Sequence, residues 1–357
     1  MPTPSSLSPT IKEHVPLAPY TTLRIGGPAR FFCDISSEAA LLEAVQFARE
    51  RSLRVFVLGG GSNLLVGDKG FDGLVLHLTL NAPVQTTSTA EHMDCIAPAG
   101  LDWDAFVLQI CQQGISGVEC LAGIPGLVGG TPVQNVGAYG QEVADTIHSV
   151  RALDLETLTF VDLPRGACAF GYRRSIFNST YPNRYIVTAV EFRFSTSATP
   201  NITYADLKSH FASTPTPPTP LDVYHAVREI RSRKGMLLVE GEPDCRSAGS
   251  FFKNPIVPAT ILNYIADSLN LDPAAVPNWP TPDGKLKLPA AWLLERAGFH
   301  RGFALGEAGI SSRHTLALIN RGHATATDIT ALRDRIQQEI KAKFGIQLEQ
   351  EPVELKS

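Results

Sequence analysis

The chain has 357 residues, of which 44% are hydrophobic and 18% charged. This length accommodates two or three domains with buried cores, and the composition is that of a globular protein. A formal net charge of −4 at pH 7 disfavours a nucleic-acid partner, because the densest cationic cluster is only Arg231-Ser232-Arg233-Lys234.

Cysteine usage and hydropathy indicate the compartment. The six cysteines are scattered and form no C-x-x-C pair, so we expect no metal site and mostly reduced core thiols. The N-terminus MPTPSSLSPTIKEH has no apolar signal region, and no stretch reaches the roughly 18 apolar residues of a membrane span. We therefore predict a cytoplasmic protein that does not associate with membranes.

The first predicted elements form a βαβ unit that ends in a glycine loop. Residues 1–13 are rich in Pro, Ser and Thr and are expected to lie outside the core. A strand over 30–35, an N-cap at Ser36 or Ser37, and a helix over 39–50 precede a strand that starts at Val55. A further strand is predicted over 74–80.

The closing strand leads into the stretch VFVLGGGSNLLVGD, residues 55–68. Its glycines let the backbone approach a ligand and turn N–H groups toward it, which suits a diphosphate. The spacing matches neither the G-x-G-x-x-G loop of Rossmann domains nor a Walker P-loop. A plain glycine turn between two strands explains the stretch equally well.

A second glycine-rich segment follows a predicted strand over 95–99 and a helix over 101–113. Residues 114–140 hold eight glycines and are nearly uncharged, which is typical neither of a packed helix nor of a solvated linker. A flat, partly apolar cofactor lying against this segment would explain the composition, with Gln134 and Asn135 as hydrogen-bonding candidates. The alternative is a glycine-rich crossover packed between two layers.

Predicted strands over 149–155 and 185–194 enclose GYRRSIF, residues 171–177. Arginine is suited to bidentate capture of a carboxylate or phosphate, and only one of two neighbours on an extended backbone can face inward. Arg173 is the candidate, and Arg174 is expected to be a solvated charge. The Pro- and Thr-rich stretch 195–220, which contains ITYADL, predicts a mobile excursion, followed by a helix over 221–234.

Residues beyond Gly235 predict a second α/β unit. It contains SAGSFFKNP at 247–255, helices over 259–269, 290–297 and 326–344, and strands over 315–319 and 346–349. The tail LEQEPVELKS places Glu349 and Glu351 on the same side of an extended backbone.

Five segments together resemble the UDP-N-acetylenolpyruvoylglucosamine reductase (MurB) family over about residues 17–352. They are GGGSNLLVGD (59–68), IPGLVGG (124–130), PVQNVGAYG (132–140), GYRRSIF and SAGSFFKNP. The resemblance implies an α+β and α/β fold, in which a two-part FAD-binding domain of the vanillyl-alcohol-oxidase (PCMH) type precedes a C-terminal α/β substrate-binding domain. The expected divisions are a flexible N-terminus (1–16), two FAD-binding subdomains (17–80 and 81–234, with a tyrosine loop at about 195–220) and the substrate domain (235–357).

The same resemblance implies the site residues. The catalytic residues are Arg173, Ser250 and Glu351, and Glu349 remains a rival to Glu351 because the family's tail pattern is only partly kept. Cofactor-binding residues are Gly59, Gly60, Gly61, Ser62, Asn63, Gly123, Ile124, Pro125, Gly126, Gln134, Asn135, Gly137 and Ala138. Substrate-binding residues are Tyr172, Tyr204, Arg231, Lys234, Asn254 and His314.

The implied reaction passes hydride from NADPH to FAD and then to an enolpyruvyl ether on a UDP-sugar, completing UDP-N-acetylmuramate for the bacterial cell wall. Arg173 is suited to stabilising the enolate, Ser250 to protonating it, and Glu351 to assisting. We expect a monomer whose partners are small molecules, with NADPH and the substrate sharing one pocket. The alternatives are a vanillyl-alcohol-type FAD oxidase and a flavin-binding homologue without turnover.

Overall fold

The structure is a computed structural model that describes residues 9–357. The first eight residues of the predicted flexible N-terminus lie outside the described residues. The helices are α1 (Glu38–Glu50), α2 (Trp103–Gln112), α3 (Ala205–His210), α4 (Pro220–Arg233), α5 (Ile261–Leu269), α6 (Ala290–Arg296) and α7 (Ala326–Phe344).

The strands are mostly short and occur along the whole described chain. They are β1 (Ile11–Pro16), β2 (Pro28–Ile35), β3 (Arg54–Leu58), β4 (Leu64–Val66), β5 (Phe71–Leu78), β6 (Gln85–Ser88), β7 (His92–Pro98), β8 (Gly137–Ala138), β9 (Gln141–Glu142), β10 (Ile147–Asp154), β11 (Thr159–Pro164), β12 (Tyr185–Ser195), β13 (Ser247–Ser250), β14 (Ile256–Val257), β15 (Trp279–Pro280), β16 (Leu286–Lys287), β17 (Ala304–Leu305), β18 (Ala308–Ile310), β19 (Ala317–Asn320) and β20 (Val353–Leu355).

Local sequence signals set the ends of the main helices. The Ser37 hydroxyl accepts a hydrogen bond from the Ala40 backbone at 3.1 Å, so Ser37 rather than Ser36 is the N-cap of α1. Helix α7 begins with a capping box formed by Thr325 and Asp328, and it ends at Gly345, whose φ of 68° is left-handed. The predicted bounds of α7 are confirmed.

The chain divides into two compact units that are discontinuous in sequence. Of the described residues, the first unit comprises 9–15, 29–60 and 72–233, and the second comprises 16–28, 61–71 and 234–357. Within the GGGSNLLVGD stretch, Gly60 ends one segment of the first unit and Gly61 begins a segment of the second. Each unit has its own buried hydrophobic cluster.

The first unit contains two main sheets. One has the strand order β1-β2-β5-β3, with β3 and β5 parallel, and α1 connects β2 to β3. The other is a five-stranded sheet of order β11-β10-β12-β7-β6, in which the strand pairs are antiparallel. Strand β3 delivers the glycine loop, as predicted.

The second unit combines helices α5, α6 and α7 with small sheets. Its four-stranded sheet has the order β13-β19-β18-β17, and β20 pairs in parallel with β4. Helix α7 packs Ile329, Leu332, Ile336 and Ile340 into the core of this unit.

Three sequence predictions are wrong in detail. Residues 11–16 form an edge strand although the N-terminus was expected to be flexible up to residue 16. The predicted strand over 346–349 is absent: Ile346 and Leu348 are buried as an alternating pattern predicts, but regular strand pairing starts only at Val353. Part of the predicted excursion is helix α3, which anchors itself through the fully buried Leu207.

Candidate functional site

A glycine contact in the first unit forms a narrow cradle. A Cβ added to Gly60 would lie 2.7 Å from the Cα of Gly126, whereas one added to Gly59 would meet only the Leu127 side chain at 3.9 Å. Gly126 has a φ of 134°, which disfavours any residue with a side chain. Two exposed or half-buried backbone turns therefore approach each other without side chains between them, which fits a flat ligand carrying a diphosphate.

Asp104 fixes the next part of this cradle. Its carboxylate accepts a hydrogen bond from the Gly123 backbone at 2.6 Å and also bonds the Tyr224 hydroxyl and the Arg228 guanidinium. The Gly123 carbonyl accepts from Nε of Arg231 at 3.1 Å. Because both backbone groups of Gly123 bond to the protein and the residue is buried, Gly123 shapes the loop that carries Ile124 and Pro125.

Asn135 organises the PVQNVGAYG segment from inside. Its side-chain amide donates to the Glu142 carboxylate at 2.7 Å and to the Gly171 carbonyl at 3.1 Å, and its oxygen accepts from the Ala144 backbone at 3.1 Å. The side chain is only 1% exposed even without a ligand. We therefore regard Asn135 as a residue that positions the loop, while Gln134, Gly137 and Ala138 are half-buried and accessible.

Arg173 occupies a strained turn. The backbone groups of Gly171 and Arg174 exchange hydrogen bonds at 2.9 and 3.0 Å, which leaves Tyr172 and Arg173 at the tip. Arg173 has a φ of 54°, a conformation that costs a residue with a side chain roughly 1 kcal/mol. Its guanidinium is half-buried and donates to the Gly137 carbonyl at 2.9 Å, whereas Arg174 is exposed, as predicted.

Tyr139 connects several predicted binding residues. Tyr139 and Gly140 form the two-residue turn between β8 and β9, and both have positive φ angles. The Tyr139 ring meets that of Tyr204 edge to face at 5.3 Å. The Arg231 side chain donates a hydrogen bond to the Tyr139 hydroxyl, and burial lowers the pKa of Arg231.

The predicted tyrosine segment is anchored just before Tyr204. Asn201 donates its backbone N–H to the Glu119 carboxylate at 2.9 Å and its side-chain amide to the Gly140 carbonyl at 3.0 Å. Glu119 is fully buried and also accepts from Gly117 and Gln141. Tyr204 itself is 45% exposed, so the anchor holds the base of the segment and leaves the tyrosine accessible.

In the second unit, the end of the glycine stretch holds the C-terminal tail. A Cβ on Gly61, whose φ is 60°, would lie 1.9 Å from the Tyr20 carbonyl oxygen. The Asn63 carbonyl accepts from the Val353 backbone at 2.9 Å, and its amide donates to the Glu351 carbonyl at 3.4 Å. Asn63 therefore contacts the segment that carries a predicted catalytic residue, and Ser62 is half-buried beside it in the chain.

Ser250 lies at the end of β13, opposite Ala317 of β19. Its hydroxyl is half-buried, and its Oγ lies 3.5 Å from Nε2 of His314. The strand register therefore brings together a predicted catalytic residue and a predicted substrate-binding residue.

The tail pairs with the residues that follow Ser250. Glu351 donates its backbone N–H to the Phe251 carbonyl at 2.9 Å, and Lys253 donates its own to the Glu349 carbonyl at 2.9 Å. The Glu349 carboxylate forms a 2.5 Å ion pair with Lys253 and is 71% exposed. Glu351 is half-buried and lies at the Ser250 end of this pairing, so the geometry favours Glu351 over Glu349.

The other predicted substrate-binding residues of the second unit are Asn254 and Lys234. The Asn254 side-chain oxygen accepts a hydrogen bond from the Ala290 backbone at 2.9 Å, so it caps the start of α6. Lys234 is half-buried and is the first residue of the segment 234–357. The long stretch after it is fixed to Arg313, which forms ion pairs with Glu242 and Asp244 at 2.9 and 3.2 Å.

Two hydrogen-bonding residues of the site have no counterpart among the sequence predictions. Asp104 and Glu119 carry no motif of their own, since one lies in the first turn of α2 and the other at the start of a short 3-10 helix. Tyr139 was visible as part of PVQNVGAYG, and its position before a glycine at a turn was the available signal.

Comparisons with known proteins agree with this geometry. Residues 29–161 match the family model of the FAD binding domain, and residues 242–355 match that of the UDP-N-acetylenolpyruvoylglucosamine reductase C-terminal domain. The protein is therefore an FAD-binding flavoprotein with a second, C-terminal domain, and this confirms the predicted fold class and cofactor.

Whole-chain relatives define the family. The UDP-N-acetylenolpyruvoylglucosamine reductase of Thermobifida fusca is 41% identical over 97% of this chain and 98% of its own length. That of Paraburkholderia phymatum is 39% identical over 95% and 96%. The crystal structure of the Thermus caldophilus enzyme superposes with a TM-score of 0.66 at 27% identity, covering 98% of this chain and all of that one. The chain belongs to the UDP-N-acetylenolpyruvoylglucosamine reductase family.

Proposed function

We propose that this protein reduces the enolpyruvyl ether of UDP-N-acetylglucosamine to UDP-N-acetylmuramate, with FAD as cofactor and NADPH as reductant. The observation that supports the proposal is the antiparallel pairing of residues 349–351 with 251–253, in which the Glu351 backbone bonds to Phe251, the residue that follows the predicted acid Ser250. Family membership supports the same assignment. The alternative of a vanillyl-alcohol-type oxidase has no comparable support.

The glycine turns around Gly60 and Gly126 would hold the FAD diphosphate, and the half-buried backbone of Gly137 and Ala138 would contact the cofactor further along the segment. Bound FAD supplies hydride transfer from NADPH to the terminal vinyl carbon of the substrate. All other steps are assigned to side chains of the protein.

Arg173 binds the substrate carboxylate. Its planar guanidinium can hold both carboxylate oxygens while negative charge grows on the adjacent carbon. The strained turn and the hydrogen bond to the Gly137 carbonyl fix its direction before the substrate arrives. Such preorganisation avoids reorganising the cation during the reaction.

Ser250 donates a proton to the carbon that carries this charge. A serine hydroxyl is a weak acid, but an enolate carbon is basic enough to accept its proton at about 3 Å. Glu351 is assigned the role of orienting the substrate's carboxylate end or the serine hydroxyl.

Tyr204 and Lys234 are assigned to the substrate diphosphate. Tyr204 is exposed and can reach a ligand. Because the protein has a net charge of −4, an anionic diphosphate needs a local cation to bind, and Lys234 supplies one. Arg231 is only 7% exposed and bonds Tyr139 and Gly123, so we assign it to positioning Tyr139 and not to direct contact.

The proposal extends to the setting of the enzyme. We propose a cytoplasmic monomer, and the six free, buried cysteines support a reducing compartment. None of the described helices is long and apolar enough to cross a bilayer. Sedimentation equilibrium of the purified holoenzyme would give a single mass near 38.5 kDa plus FAD, and a dimer mass would contradict the proposed state.

A coupled assay tests the function. NADPH oxidation by the purified holoenzyme should depend on added UDP-N-acetylglucosamine enolpyruvate, and the product should be two hydrogens heavier by mass spectrometry. NADPH oxidation that is independent of this acceptor would contradict the proposed substrate.

A further inference from the structure

We propose that His314 passes a proton to Ser250 as the serine protonates the substrate, and so acts as a positioning and proton-return residue. The inference rests on the proposed function, and it gives His314 a role toward Ser250 in place of the substrate contact that the resemblance implied. The observation behind it is the 3.5 Å distance between Ser250 Oγ and His314 Nε2.

The strand register fixes this distance. Ser250 pairs with Ala317, and the Phe251 backbone donates to the Leu316 carbonyl at 2.8 Å. The Ala317 backbone in turn donates to the His314 carbonyl at 3.1 Å, which closes a tight turn. His314, which carries the imidazole, is thus held in a turn three residues before Ala317, the strand partner of Ser250.

Ser311 fixes the orientation of the same turn. Its fully buried hydroxyl accepts hydrogen bonds from the backbones of Arg313 and His314 at 3.1 and 3.2 Å. On one side, Asp244 accepts from the backbone and hydroxyl of Ser312. On the other side, the Thr315 hydroxyl donates to Glu295 at 2.7 Å. Both flanks are therefore anchored.

The charged side chains beside the turn are matched with partners. Arg313 pairs with Glu242 and Asp244, and Glu295 accepts from Thr315. His314 directly follows Arg313 in the chain, and the carboxylates of Glu242 and Asp244 balance the positive charge of Arg313. Histidine is also the side chain that most readily gains and loses a proton near neutral pH.

Two proton transfers link His314, Ser250 and the substrate carbon. The Ser250 Oγ–H bond breaks as its hydrogen forms a C–H bond with the electron pair on the substrate carbon. A proton from Nε2 of protonated His314 forms a new O–H bond at Oγ, and the ring is left neutral. Water then returns a proton to the ring. This exchange avoids a free serine alkoxide, and the distance can shorten when the substrate is bound, as catalytic hydrogen bonds commonly do.

A direct substrate contact would behave differently. A glutamine at position 314 can hydrogen-bond to a ligand, but it cannot deliver a proton. His314→Gln should therefore keep the Kd for the enolpyruvyl sugar nucleotide within about threefold, while the rate of substrate reduction falls about 10²-fold. The matched control is His300→Gln, because His300 is an exposed histidine of the same unit whose ring contacts the Arg301 carbonyl and the Phe303 ring.

The test uses the FAD-loaded enzyme reduced with NADPH under anaerobic conditions and then mixed with the substrate in a stopped-flow instrument. In His314→Ala, added imidazole should restore the rate at least about tenfold, and it should have no effect on wild type or on His300→Gln. A second readout is independent of turnover: Ser250→Ala should change the ¹⁵N chemical shift of His314 Nε2 and leave that of His300 unchanged.

The outcomes separate the inference from the function. If the wild type turns over, two results would overturn the role of His314 and leave the proposed function intact. The first is full activity of His314→Gln. The second is a loss confined to substrate affinity, with no rescue by imidazole. Failure of the wild type to reduce the substrate would overturn the function itself, and an unchanged His314 chemical shift in Ser250→Ala would overturn the contact.

Discussion

The backbone N–H of Glu351 donates to the carbonyl oxygen of Phe251 at 2.9 Å. Phe251 follows Ser250 directly, so two residues that are 101 positions apart in the chain (351 − 250) become neighbours through one pairing of backbone segments. The carbonyl of Asn63 holds the same tail from the other direction by accepting from Val353. The position of Glu351 is therefore set by backbone pairing on both sides, before any side-chain interaction.

The two tail glutamates should differ in their effect on catalysis. We expect Glu351→Gln to slow substrate reduction about 10²-fold, because the carboxylate proposed to orient the substrate or the Ser250 hydroxyl is lost. Glu349→Gln should cost less than about threefold, since its ion pair with Lys253 is exposed and such pairs contribute little. Anaerobic stopped-flow measurement of flavin reoxidation checks both. Equal losses would contradict the choice of Glu351.

The two adjacent arginines provide a matched pair. Arg173→Lys should lower kcat about 10² to 10³-fold, because a point charge cannot replace a planar fork that binds both carboxylate oxygens. Arg174→Lys should leave kcat unchanged, since Arg174 is exposed and bonds Ser179. Steady-state kinetics with saturating NADPH measure the difference, and a large effect of the Arg174 variant would count against the assignment.

The hydroxyl of Tyr139 should affect binding more than chemistry. Tyr139→Phe keeps the ring against Tyr204 but removes the acceptor of the Arg231 hydrogen bond. Loss of one such bond costs about 1 kcal/mol, so we expect about a fivefold rise in the substrate Kd with little change in kcat. Tyr139→Ala, which also removes the ring contact, should weaken binding further. Equal Kd values for both variants and wild type would show that the turn does not support the tyrosine segment.

Asp244 should make the second unit acid-sensitive. Burial by itself would raise the pKa of Asp244, but hydrogen bonds from Ser312 and Arg313 outweigh it and hold that pKa below 3.8. A carboxylate with a lowered pKa in the folded state stabilises the fold above its unfolded pKa, and this contribution is lost as the pH falls through the folded value.

Denaturant unfolding of the Asp244→Asn variant measures this contribution. We expect the substitution to destabilise the protein by about 1 to 3 kcal/mol at pH 7, and the difference from wild type should shrink as the pH falls through the lowered pKa of Asp244. The control is Asp267→Asn, on the exposed side of α5. A difference between Asp244→Asn and wild type that does not depend on pH would contradict the lowered pKa.

Much of the fold follows from local sequence signals. Helix α7 is bounded by a capping box and a glycine, so its limits could be predicted to the residue. Strand β20 and the 11–16 strand could not, because short, exposed strands depend on a partner supplied from elsewhere in the chain. Local patterns also did not reveal that the GGGSNLLVGD stretch divides between two compact units at Gly60 and Gly61.

The site was predictable only as far as motifs reach. Arg173 and Ser250 lie in segments that resemble a family, whereas Asp104 and Glu119 are single carboxylates whose partners are distant in sequence. The resemblance also could not distinguish residues that offer contacts from those that hold the loops. Asn135 and Arg231 belong to the second kind, because their burial without a ligand leaves little surface for one.

The central claim is that one bound flavin accepts hydride from NADPH and that the enolpyruvyl sugar nucleotide then reoxidises it. The most direct measurement is anaerobic: reduce the purified holoenzyme with one equivalent of NADPH, add UDP-N-acetylglucosamine enolpyruvate, and record the flavin absorption spectrum. We predict rapid return of the oxidised spectrum in wild type and slow return in Ser250→Ala, with flavin reduction by NADPH unchanged in both. A flavin that stays reduced in the wild type after the substrate is added would contradict the account.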